Sequence, residues 1–99
     1  MKLQPEVVRL AESMQYKLDK NAHKGDVSSW PSWDAEGKRY WGRDCSLEFL
    51  LLKFQEEYAE FLTAIRKEPI ENVRLEAADV ANLAMMIVER MEMDVLSNR

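Results

Sequence analysis

Two short acidic segments carry the residue types best suited to chemistry in this chain of 99 residues. One reads EEYAE over Glu56 to Glu60, and the other reads EAAD over Glu76 to Asp79. On an α-helix, residues three apart project from nearly the same face. Glu57 therefore pairs with Glu60, and Glu76 pairs with Asp79. If two helices bring the pairs face to face, four carboxylates form a hard, oxygen-rich site of the kind Mg²⁺ prefers. Acids on a helix usually make a solvated face, and one such pair means little. Here each pair is embedded among core-forming residues, with Phe54, Phe61 and Leu62 around the first. Val73, Ala77, Val80 and Leu83 surround the second. Like charges at this spacing repel by about 0.2–0.5 kcal/mol per exposed pair, and by more when partly buried. A metal cation turns that repulsion into binding.

The elements that must position these acids are legible from apolar spacing. Val7, Val8, Leu10, Ala11, Met14 and Leu18 recur at helical intervals, predicting a first helix from about Pro5 to Lys20. Pro5 suits the first turn, where its missing N–H costs little. Leu47, Leu50, Leu51, Phe54, Phe61, Leu62 and Ile65 predict a second helix from about Ser46 to Lys67, capped by Asp44 or Ser46. The residue before a proline disfavours the α region, so Lys67-Glu68-Pro69 breaks the pattern. Pro69 then opens a third helix to about Asp94 through Val73, Ala77, Val80, Leu83, Ala84, Ile87 and Met91. A break this short between two long helices implies an antiparallel hairpin. No strand alternation is evident, and the expected fold is all-α, a single domain over residues 1–99.

Between the first two helices, from Asn21 to Asp44, lie all three glycines and all three tryptophans. A loop of this length inside a compact domain is uncommon and usually functional or disordered. Its aromatic content favours a packed loop with a short helical turn. Trp30, Trp33, Tyr40 and Trp41 suit either a stacking platform for a base or a seal onto the helices.

Composition narrows the function classes. The chain is 46% hydrophobic and 32% charged, an ordinary globular balance. Its net charge of −4 offers no general attraction to nucleic acid or acidic membranes. The single cysteine, Cys45, excludes an intramolecular disulfide and a Cys-rich zinc site. The opening residues do not read as a secretory signal, and no apolar stretch approaches the ~20 residues that span a bilayer. A cytoplasmic setting is the expectation. A domain this short buries only roughly 60–65% of its unfolded surface, so its core is thin.

The acidic pattern is EExxE, a spacer of 15 residues, then ExxD followed by Asn82. Together with the small residues of EAADVANLAMM and with Asn21-Ala22-His23-Lys24-Gly25 after the first helix, it resembles the MazG-like, all-α nucleoside triphosphate pyrophosphohydrolases. The likeness runs from about Met14 to Met86. It implies hydrolysis between the α- and β-phosphates, giving a nucleoside monophosphate and pyrophosphate. By the resemblance Glu57, Glu60, Glu76 and Asp79 are the Mg²⁺ ligands, with Mn²⁺ as a substitute. Glu56 holds a second metal or accepts the proton of the attacking water, and Glu57 shares the catalytic assignment. His23 and Lys24 reach the phosphates from the loop, with Gly25 permitting a close approach.

Several positions keep two readings. Asn82, one turn beyond Asp79, is a contact to sugar or base, or else a buried structural amide. Lys53, one turn before Glu57, either contacts phosphate or balances the acids. His23 is a substrate contact or a surface imidazole. Only three long helices are evident, whereas the family's usual unit has four and is completed by a partner chain. That departure implies a homodimer or a homotetramer. The principal alternative function is a non-catalytic helical interaction module with a solvated acidic face. A di-iron carboxylate bundle is a weaker rival, because such sites include Glu-x-x-His pairs and His23 lies in neither acidic motif.

Overall fold

A computed structural model describes residues 1–21, 32–33, 39–40 and 46–97. Three helices dominate: α1 (Pro5–Lys20), α2 (Leu47–Lys67) and α3 (Ile70–Ser97). Among the described residues the fold is all-α apart from one small ribbon, in which β1 (Ser32–Trp33) pairs antiparallel with β2 (Arg39–Tyr40). The register sets Ser32 opposite Tyr40 and Trp33 opposite Arg39. The described part of the long connection is thus a ribbon, and the expected short helical turn lies outside the described residues. Paired segments of two residues are too short to leave any alternation in sequence.

Each helix begins and ends where local chemistry dictates. Pro5 stands at the start of α1, and the Gln4 carbonyl accepts from the N–H groups of Val7 and Val8 at 3.0 and 3.1 Å. Ser46 is the N-cap of α2, its Oγ accepting from the Phe49 N–H at 3.1 Å. Glu48 in the first turn of α2 and Arg66 and Lys67 in its last turn complement the helix dipole. Glu68 leaves the helical region with φ −119° and ψ 158°, as a residue before proline should. The Pro69 carbonyl then accepts from Asn72 and Val73 at 3.0 and 3.2 Å, starting α3 one residue later than expected.

The α2–α3 break folds the two helices into an antiparallel hairpin, with Leu50 in one core cluster with Leu83 and Met86. Leu18 of α1 packs against that cluster, as do Phe49, Phe54 and Ile87. Ala64 and Ala78 are also buried, and their small side chains let the helices approach closely. Among the described residues Leu50 is the one large side chain removed completely from water. The core is as thin as the chain length implies. Large apolar side chains consequently remain exposed, including Leu52 and Ile65 on α2 and Val88, Met91 and Val95 on α3. No helix among the described residues is long and apolar enough to cross a membrane.

Candidate metal centre

The hairpin brings the two acidic motifs together by register. Glu57 and Asp79 each stand 11 residues from Glu68, and Glu60 and Glu76 each stand 8 residues from it. In an antiparallel hairpin, positions equidistant from the turn lie at the same height. One carboxylate oxygen from each of Glu57, Glu76 and Asp79 lies within 4.8 Å of the others. All three residues are half-buried. The fourth acid, Glu60, is exposed and sits at the rim. It still acts on the cluster, sharing a side-chain hydrogen bond with Glu57 and opposing ionisation of both Glu57 and Glu76.

The electrostatics follow from crowding acids in a partly dry place. Burial, then the charges of Asp79 and Glu60, pushes the Glu57 carboxyl up to about 7. Burial and the same two neighbours raise Glu76, while Lys17 pulls it back. Glu57 Oε2 and Glu76 Oε2 are buried without a hydrogen-bond partner among the described residues. An unpartnered buried carboxylate oxygen is costly. Three converging carboxylates, two of which carry a buried oxygen without a donor among the described residues, match the donor set a hard divalent cation takes.

Among the described residues, a cation in direct contact with this cluster comes from α1, at a position the sequence reading passed over. Lys17 Nζ of α1 lies 3.3 Å from Asp79 Oδ2, and both side chains are only 16% exposed. One turn away on the same two helices, Asn82 Nδ2 donates to the Met14 carbonyl at 3.1 Å. Asn82 is 4% exposed, and its Oδ1 is buried without a partner among the described residues. A signal for Lys17 does exist in the sequence. It follows Met14 by three residues and precedes Leu18, which puts it at the edge of the apolar stripe of α1.

The remaining expected residues fall into two groups. Lys53 and Glu56 pair with each other at 3.1 Å, and the Lys53 ammonium also lies 5.7 Å from the centroid of the Phe49 ring. Glu56 is exposed, a different environment from that of Glu57 beside it. His23 and Lys24 lie outside the described residues. No family model, curated protein or solved structure matches this chain.

Proposed function

We propose that this chain is a Mg²⁺-dependent, MazG-like pyrophosphohydrolase that converts nucleoside triphosphates to nucleoside monophosphates and pyrophosphate. The observation that carries the reading is the convergence of Glu57, Glu76 and Asp79 from two helices, with buried oxygens lacking donors. A solvated acidic face would spread its charges and leave their oxygens to water. This cluster does neither, and it keeps a carboxyl at about 7 as a result.

On this reading Glu57, Glu76 and Asp79 hold the cation, and Glu60 closes the rim. Mg²⁺ bound there supplies charge neutralisation for the triphosphate oxygens and acidifies a water. Without metal the Glu57 carboxyl is pushed up to about 7, a proton that cation binding would displace, and of the two glutamates assigned to catalysis it is the one inside the cluster. Glu56 faces solvent beside Lys53, so it reaches the reaction only from the rim. His23 and Lys24 are proposed to meet the phosphates from the loop, and Asn82 to fix α1 behind the acids at Met14. The thin core and exposed faces of α2 and α3 support assembly as a homodimer or homotetramer.

The test is pyrophosphate release from a panel of standard and modified nucleoside triphosphates with Mg²⁺ or Mn²⁺, using Glu76→Gln as control. Release by the wild type and none by the variant is the expected result. Silence across the panel, with no thermal shift from Mg²⁺ plus nucleotide, would favour the non-catalytic interaction module.

A further inference from the structure

We propose that Lys17 is the resident counter-cation of this site, holding Asp79 in the metal-free chain and surrendering that carboxylate when a divalent cation binds. The inference rests on the metal-site reading above and adds to it a residue on α1 that neither acidic motif contains. The Lys17 ammonium lies 3.3 Å from Asp79 Oδ2 with both side chains largely buried. Its influence also reaches Glu76, whose carboxyl it favours in the charged form. It therefore serves the two acids of α3, while Glu57 of α2 has only acids among the neighbours that shift it.

Coexistence with a divalent cation is unfavourable. Divalent Mg²⁺ takes its oxygens at about 2.0–2.1 Å. The donor oxygens of Glu57, Glu76 and Asp79 lie within 4.8 Å of one another. A cation among them falls within a few ångströms of the ammonium, in a partly desolvated place where like charges repel strongly. Displacing one of the two positive charges relieves that repulsion. The backbone of α1 is not free to slide, because the Met14 carbonyl is held by Asn82 one turn away. The lysine stem, with its rotatable bonds, is what yields. Lys17 is thus a positioning residue that keeps the α3 acids ordered and charge-balanced until the metal arrives.

Titration of the nucleotide-free protein with Mn²⁺ by calorimetry, at one pH, tests this directly. Lys17→Met keeps the apolar stem and removes the charge, and Lys17→Gln keeps a hydrogen-bond donor without the charge. Both are expected to bind Mn²⁺ about tenfold more tightly than the wild type, the scale on which a nearby charge biases a carboxylate. Both are also expected to melt lower than wild type without metal, and to gain more from Mn²⁺. Lys17→Arg retains a cation and should stay within about threefold of wild-type affinity. If the wild type binds Mn²⁺ and the neutral variants bind it equally or more weakly, Lys17 only fastens α1 to α3 and the inference fails alone. If the wild type binds no Mn²⁺, the inference and the metal-site reading fail together.

Discussion

Lys17 and Asp79 form a largely buried ion pair of 3.3 Å that ties the end of α1 to the acidic motif of α3. The two faces of the candidate site are therefore not equivalent. Asp79 has a countercharge inside the fold, whereas Glu57 is surrounded by acids and by its own desolvation.

Neutralising the two acids should have opposite effects on stability. Glu57→Gln relieves repulsion and is expected to raise the melting temperature of the metal-free chain. Asp79→Asn leaves Lys17 buried without its partner. The cost should be about 2 kcal/mol, between the values for exposed and fully buried pairs. At this chain length that is a fall of roughly 8–16 °C. Both variants are expected to lose turnover. Calorimetry of the pair checks the contrast, and melting points that move in the same direction would contradict the described charge arrangement.

The raised carboxyl of Glu57 gives a pH dependence with a definite sign. Between the ordinary value of 4.5 and about 7, the folded chain keeps a proton that the unfolded chain has lost. Glu57 therefore favours the native state fully below that window, and its contribution declines as pH rises through it. The advantage of Glu57→Gln over wild type should be near zero at pH 4 and reach about 2–5 °C at pH 8, discounted for partial screening. Divalent cations compete with the same proton, so Mn²⁺ affinity of the wild type should increase from pH 6 to pH 8. A flat affinity profile would remove Glu57 from the ligand set.

Asn82 offers a test between its two roles. Its amide bonds the Met14 carbonyl, so Asn82→Ala should cost about 1–3 kcal/mol in urea unfolding. A residue that instead touched sugar or base would raise KM and leave stability unchanged. Measuring both quantities on this one variant separates the roles.

Assembly is the remaining expectation with a simple readout. Val88, Met91 and Val95 repeat at intervals of three and four along an exposed face of α3 and, with Glu92 and Leu96, line one apolar hollow. Light scattering at micromolar concentration should report a dimer or larger, and Met91→Glu should shift it toward monomer. A wild-type monomer with full activity would show that the chain closes its own site.

Much of the helical frame could be read from residue order. The apolar spacing from Val7 to Leu18 marks α1, Ser46 starts α2, and the pre-proline position of Glu68 ends it. The facing of Glu57 and Glu60 against Glu76 and Asp79 followed from helix periodicity plus a short turn. Lys17 was not legible in that way. A lysine on an amphipathic helix ordinarily faces water, and nothing near it in sequence announces an aspartate far along the chain. The exposure of Glu60 was equally hidden. A step of three residues turns about 300° around the helix, enough to carry the second acid from the crevice to its rim. The ribbon at Ser32–Trp33 and Arg39–Tyr40 depends on pairing across the loop, which local pattern does not encode.

The position of the Glu68–Pro69 break also constrains how this hairpin can change in length. Glu57, Glu76 and Asp79 meet, with Glu60 at their rim, because α2 and α3 are in rotational phase as counted from that break. Inserting one residue between Ala64 and Glu68 preserves composition and helicity, yet it turns Glu57 and Glu60 about 100° away from their partners. Deleting one does the same in the opposite sense. An insertion of seven residues restores the phase to within about 20°, but shifts the acids of α2 roughly 10 Å along the axis relative to those of α3. Only a matched insertion of about seven residues on both sides of the break recovers phase and height together. A length change on one side of the break alone is therefore incompatible with the meeting of these acids.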